Sequence, residues 1–101
     1  MQIRGREVDF KIGRLKDAAA FEKALDNMGK AEKEIKKKSS LAQIISGEID
    51  MFRVFIKEAT GEEVLEDCDD LEEAKGAYLD MLRGVKAQKE ALLGFSADEL
   101  K

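Results

Sequence analysis

Histidine, tryptophan and proline are absent from this sequence of 101 residues, and cysteine occurs only once. Without histidine, the chain can build neither a Ser-His-Asp nor a Cys-His catalytic arrangement, and it has no imidazole to bind zinc. The single cysteine, Cys68, has no partner for a disulfide within the chain, which excludes a secreted disulfide scaffold. Composition therefore removes several common designs for catalysis and metal binding.

Long apolar runs are also missing. A membrane-spanning helix needs roughly 20 consecutive apolar residues, and the uninterrupted apolar stretches here are only a few residues long. Residues 1–5 lack the apolar segment that a signal peptide requires. We therefore expect a cytoplasmic protein that does not bind a membrane.

Charged residues make up 40% of the chain, but the two signs are unevenly distributed. Residues 1–38 carry 11 Lys or Arg and 7 Asp or Glu, a net charge of +4, whereas residues 39–101 carry 7 and 15, a net charge of −8. The lysines at positions 30–38 are interrupted by Glu32 and Glu34, and no aromatic residues lie between them. This pattern favours a solvated helix face over a nucleic-acid interface.

The first dozen residues predict a β-hairpin over about 2–12. Val8, Phe10 and Ile12 alternate with polar residues, which is the periodicity of a strand. A two-residue turn at Gly5-Arg6, with glycine first as a type II′ turn requires, would place Ile3 opposite Val8. Ile3, Val8 and Phe10 then share one face, which we expect to cover the helices.

Three amphipathic helices are predicted to follow, over about 17–38, 40–60 and 70–93, because the apolar period changes to 3.6. We expect Asp17 to cap the first helix, Ser39-Ser40 to break it and supply the cap of the second, and Gly61 to end the second. Glycine within a helix is unfavourable, so a kink or a one-residue break is expected near Ser46-Gly47. The three apolar stripes are Phe21, Ala24, Leu25, Met28 and Ile35; Leu41, Ile44, Ile45, Ile49, Phe52, Phe55 and Ile56; and Leu71, Ala74, Tyr78, Leu82, Val85 and Leu92.

The third helix has two alternative capping boxes, Asp69 with Glu72 or Asp70 with Glu73, and Gly94 is expected to end it. Gly76 and Gly84 fall away from its apolar stripe, so we expect them to weaken the helix without shaping its packing seam. The predicted fold class is mainly α (α+β), with an N-terminal β-hairpin followed by a three-helix bundle. It forms a single domain over 1–94, and 95–101 are expected to be a short flexible tail. Because the core is small, we also expect a homo-oligomer.

The densest group of ionisable residues is acidic and lies before and within the start of the third helix. It fails as a calcium loop that starts at Asp67, because Glu72 replaces the glycine of position six and Tyr78 replaces the glutamate of position twelve. A magnesium site stays open as an alternative, but acids at a helix N-terminus are favoured by the helix dipole. The group comprises Glu62, Glu63, Glu66, Asp67, Asp69, Asp70, Glu72 and Glu73.

No residue is assigned to catalysis, to a metal or to a cofactor. Acidic residues surround Cys68 in the sequence, and negative charge disfavours the thiolate that an activated cysteine needs. No glycine spacing matches a phosphate-binding or dinucleotide-binding loop. We therefore expect a protein that is not an enzyme. Several apolar residues fall outside the predicted core stripes or near the end of the chain, and we predict that they bind a protein partner: Met51, Val54, Leu79, Met81, Leu93 and Phe95.

The order of elements, and above all the segment from Ile3 to Phe21, resembles small proteins encoded in tail modules of phages and prophages of Gram-positive bacteria. The segment opens with Ile3-Arg4-Gly5-Arg6-Glu7-Val8-Asp9-Phe10 and continues into a long charged helix; the Leu41–Gly61 helix and the acidic entry to the third helix extend the likeness. Some of these proteins are tail assembly chaperones, which coat the apolar tape measure protein and pass it to tail tube subunits.

This resemblance implies a non-enzymatic, self-associating protein that shields an apolar helix of the tape measure protein or another tail protein. It supplies no binding motif, so no residue is assigned from it. Two alternatives stay open: a structural tail component that persists in the mature particle, and a small helical regulatory adaptor. A secreted helical-hairpin effector would normally carry a Trp-x-Gly turn, and this chain has no tryptophan.

Overall fold

A computed structural model describes residues 1–94, and the predicted tail at 95–101 lies outside the described residues. Two short strands, β1 (Gln2–Ile3) and β2 (Arg6–Glu7), form an antiparallel hairpin at the N-terminus. Three helices follow: α1 (Leu15–Ile35), α2 (Leu41–Thr60) and α3 (Leu71–Leu93). The prediction of a mainly helical fold with a hairpin before three helices is confirmed.

The hairpin is shorter than the predicted 2–12 and turns one residue earlier. Gln2 pairs with Glu7 and Ile3 with Arg6, so the central turn residues are Arg4 and Gly5. Both have positive φ, 51° and 78°, which is the requirement of a type I′ turn. The prediction of a Gly5-Arg6 turn with Ile3 opposite Val8 is therefore wrong.

The predicted capping residues of the three helices are correct in some cases and wrong in others. Arg14 is the N-cap of α1, so the prediction that Asp17 caps it is wrong; the Asp17 carboxylate lies in the first turn and accepts the backbone N–H of Lys11 at 3.0 Å. Ser40 does cap α2, and Gly61 ends that helix with a φ of 82°. Asp70, and not Asp69, caps α3 by accepting the N–H of Glu72 at 2.9 Å. Gly94 ends α3 with a φ of 73°.

Helices α1 and α2 pack as an antiparallel pair. The ring of Phe21, near the start of α1, contacts Phe55 near the end of α2, with centroids 5.9 Å apart. At the other end Ile35 lies against Gly47, where an added Cβ would be 3.0 Å from Ile35 Cγ1. Helix α2 is continuous through Gly47, so the one-residue break that the sequence allowed is absent, and the glycine allows the close approach of the two helices.

Helix α3 runs in the same direction as α2, because the connector formed by residues 61–70 travels back along α2. Glu63 bonds Arg53 at 2.8 Å, so the connector reverses soon after it leaves α2. Leu71 then lines a groove with Glu48 and Phe52, near the middle of α2. A helix that starts beside the middle of its neighbour leaves the first turns of that neighbour without a covering helix.

The hairpin docks on α3 at two glycines. A Cβ on Gly76 would lie 2.7 Å from the guanidinium of Arg4, and a Cβ on Gly84 would lie 3.0 Å from Cε of Met1. Between them, Asp80 accepts the backbone N–H of Arg4 at 2.8 Å. The prediction that Gly76 and Gly84 shape no packing seam is therefore wrong, since residues four apart on a helix share one face.

A row of aromatic rings runs through the core and joins the segment after the hairpin to all three helices. The contacts run from Phe10 to Phe21, then to Phe55, then to Tyr78 and Phe52, with centroids between 4.9 and 6.2 Å apart. Tilted and edge-on rings at these separations are favourable beyond the area they bury. Ile3, Val8 and Phe10 are all buried at the hairpin end of this row, as the predicted shared face requires.

Candidate protein-binding surface

One end of the fold is closed and the other is open. No Cα atom of α1 lies within 8 Å of a Cα atom of α3. At one end Phe10 lies between them, with its ring against Phe21 of α1 and its carbonyl accepting the side-chain amide of Gln88 of α3. At the other end the first turns of α2 are incompletely covered: Leu41 is 73% exposed and Ile44 and Ile45 are half-buried. Three depressions lie along α2, and of these only the one beside the connector reaches the first turns.

The α1–α2 groove is the first depression, with a volume of about 370 Å³. Its floor is apolar, and Met51 and Val54 of α2 are half-buried in it opposite Met28 of α1. Ala31 and Gly47 also line it, and neither projects a long side chain into it. The full lining is Ala24, Asn27, Met28, Ala31, Glu34, Ile35, Gly47, Asp50, Met51, Val54, Phe55 and Glu58.

Three carboxylates border this groove: Glu34 from α1, and Asp50 and Glu58 from α2. Glu34 pairs with Lys37 at 3.2 Å and Asp50 with Arg53 at 2.7 Å, while Glu58 accepts the amide of Asn27. The hydrogen bond from Arg53 to Asp50 raises the pKa of the guanidinium above its ordinary value. These exposed pairs contribute little stability, so the border is a solvated polar edge around an apolar floor.

The α1–α3 groove lies on the other side of Met28 and Met51, with a volume of about 360 Å³. Tyr78 of α3, a member of the aromatic row, lines this groove. Burial raises the pKa of the Tyr78 hydroxyl above its ordinary value, and the negative charge of Glu32 adds to this shift. Met28, Ile35 and Met51 line both grooves, so these three side chains lie between them.

The connector hollow is the third and widest depression, with a volume of about 1030 Å³ between α2 and the connector. Ile45, Ile49 and Leu65 supply its apolar floor. Lys38 borders it near the start of α2, and Asp67 and Asp69 border it from the connector. Asp67 adopts a φ of 60°, an uncommon conformation that the short polar side chain tolerates.

The predicted partner-binding residues do not form one surface. Met51 and Val54 come together in the α1–α2 groove, whereas Leu79 is exposed on α3 outside all three depressions and Leu93 is exposed in its last turn. Met81 is fully buried, so its assignment to an outer face is wrong. Phe95 lies outside the described residues. Met28 was missed as a groove residue because its place in the α1 stripe predicted burial.

Two acidic residues of the connector form ion pairs with neighbouring elements. Glu62 pairs with Arg6 of the hairpin at 3.2 Å, and Glu63 pairs with Lys57 of α2 at 3.2 Å. The Cys68 thiol donates to the carbonyl of Asp70 at 3.4 Å. Within residues 1–94, no three His, Cys, Asp or Glu side chains converge on a point where they would hold a metal ion.

None of the helices in residues 1–94 combines the length and apolar character needed to cross a membrane. No protein-family model, no curated protein and no solved structure matches this chain. The two methionine-lined grooves and the connector hollow, all along α2, have apolar linings that suit a protein partner.

Proposed function

We propose that the chain is a non-enzymatic, chaperone-like protein that shields an apolar helix of a protein partner in the α1–α2 groove. The observation that carries this proposal is the apolar floor of the groove, where Met51 and Val54 stay half-buried between two helices. An amphipathic helix binds proteins by laying its apolar face into such a groove. The likeness to phage tail-module proteins suggests the tape measure protein as the partner, bound in the cytoplasm of the host cell.

The methionines of the groove suit a partner whose sequence varies along its length. Methionine is unbranched and polarisable, so Met28 and Met51 can repack around different apolar side chains. A long tape measure protein would present many such helical segments to many copies of a small chaperone. The charged outer face, in a chain of which 40% is charged, would keep the complex in solution.

The proposal is tested with a fluorescently labelled amphipathic peptide of Leu, Ala and Lys as the probe, and with a co-expressed tape measure fragment. We compare the double variant Met51→Ser/Val54→Ser with Leu15→Ser, a control at an 86% exposed position outside the groove. Loss of two partly buried apolar contacts should weaken peptide binding by about tenfold or more. The control should bind like the unmodified protein.

Circular dichroism must show equal helicity in both variants, so that weaker binding reports on the groove and not on folding. Peptide affinity and tape measure solubility that are unchanged in the double variant would show that the groove is not the binding surface. Mass spectrometry of mature particles separates a chaperone from a structural tail component, because only the structural component persists there.

A further inference from the structure

An exposed leucine and the connector hollow lie side by side at the start of α2, so one surface patch has both an apolar projection and an apolar recess. Leu41 is 73% exposed, and it lies one helical turn before Ile45, which lines the floor of the hollow. A two-fold interface uses the same patch on both subunits, so a projection and a recess must occur together on it. We propose that this patch is the interface of a dimer, in which Leu41 of each copy enters the hollow of the other.

The charges around the hollow identify a second copy of this chain as the occupant. Lys38 stands at one edge, and Asp67 and Asp69 stand at the other. Among residues 1–94, no oppositely charged group lies within 4.0 Å of any of these three side chains. The neighbouring Arg53 and Asp50, by contrast, pair with each other at 2.7 Å. A two-fold axis through the patch brings each Lys38 to the aspartates of the other copy, so the patch is complementary to itself in charge as well as in shape.

The hollow and the α1–α2 groove adjoin on α2, because Gly47 and Asp50 line both. Ile45 and Ile49 line the hollow and not the groove, whereas Met51 and Val54 line the groove and not the hollow. The dimer interface is argued from Leu41 and the charges around the hollow, so it does not depend on the proposed function. Two copies joined in this way would present two grooves to one long partner, which increases the overall affinity without any new contact type.

Charge reversal tests the interface. We compare Lys38→Glu alone, Asp67→Asn/Asp69→Lys alone, and an equimolar mixture of the two, by sedimentation equilibrium over a wide range of concentration. Each variant alone places like charges together twice and should raise the dimer dissociation constant by about tenfold or more. In the mixed dimer both pairs are again opposite in sign, so the dissociation constant should return to that of the unmodified protein.

Two substitutions of exposed leucines complete the test. Leu41→Asp should give a monomer, whereas Leu15→Asp, at another exposed position away from the hollow, should remain a dimer. Unmodified protein that is monomeric at every concentration, or a mixture no more dimeric than its components, overturns the proposal. Peptide binding distinguishes the two sites, because Lys38→Glu should still bind the amphipathic peptide and Met51→Ser/Val54→Ser should still dimerise.

Discussion

Gln88 of α3 donates its side-chain amide to the carbonyl of Phe10 at 2.9 Å, across 78 positions of sequence. The same side chain accepts the backbone N–H of Ile12 at 2.8 Å. One residue thus satisfies two backbone groups of a segment that leaves the hairpin without continuing as a strand. It fixes Phe10 between α1 and α3, because the ring of Phe10 also packs against Phe21 of α1.

Substituting Gln88→Ala should destabilise the protein by about 1 to 3 kcal/mol, because it leaves the partly buried N–H of Ile12 and carbonyl of Phe10 without their partner. Urea denaturation followed by circular dichroism measures the change. Lys86→Ala, at an exposed position on the same helix, is the control and should stay within about 0.5 kcal/mol of the unmodified protein. Equal midpoints for the two variants would mean that Gln88 does not hold the segment.

The helical glycines Gly29 and Gly47 should respond in opposite directions to alanine. Nothing lies within 4 Å of a Cβ added at Gly29, so Gly29→Ala should stabilise α1 by about 1 kcal/mol. A Cβ at Gly47 meets Ile35 Cγ1 at 3.0 Å, and Ile35 is only 8% exposed and cannot easily move aside. We expect Gly47→Ala to lower the stability of the protein, because the clash with Ile35 outweighs the gain of about 1 kcal/mol in helix propensity. The thermal unfolding midpoints of the two variants measure the difference, and an equal rise in both would show that α1 does not press against α2 at Gly47.

The faces of the hairpin could be predicted from the sequence, although its register could not. The predicted and observed pairings differ by two residues, and side chains in a strand alternate with a period of two. Ile3 and Val8 therefore share a face in either register. The turn was misplaced because glycine alone does not distinguish Gly5-Arg6 from Arg4-Gly5, and a positive φ at Arg4 has no sequence signal.

The burial of α3 was misjudged because two elements cover it. Its apolar stripe identifies the face that packs on α2, which includes Tyr78. The hairpin covers an adjacent face at Gly76 and Gly84, and Met81 lies where the two buried faces meet. Glycines that accept a neighbouring segment carry no hydrophobic signal, so periodicity could not reveal this face. Met51 and Val54, by contrast, could be placed outside the core stripe from the sequence, because their apolar side chains depart from its periodicity.

The N-cap of α3 offers a test of the alternative that the sequence left open. Asp70→Ala should cost about 1 kcal/mol because it removes the acceptor of the Glu72 N–H. Asp70→Asn should retain most of the stability, since asparagine caps helices as well as aspartate does. Glu66→Ala is a control that removes an exposed connector carboxylate without a cap. A cost that appears equally in Glu66→Ala would attribute the effect to charge and not to the cap.

Tyr78 is the only tyrosine and the chain has no tryptophan, so the ultraviolet absorbance of tyrosinate reports on this one residue. Burial and the charge of Glu32 raise its pKa above the ordinary value of 10.0. Because the folded pKa is higher than the unfolded pKa, the protonated hydroxyl contributes stability that is complete below pH 10.0 and is lost as the pH rises through the folded pKa.

The midpoint of the Tyr78 titration should therefore fall when urea unfolds the protein. In the folded state Glu32→Gln should lower this midpoint, whereas Glu22→Gln, at an exposed position elsewhere on α1, should leave it unchanged. A folded midpoint equal to the unfolded one would contradict the partial burial of the Tyr78 hydroxyl beside the α1–α3 groove.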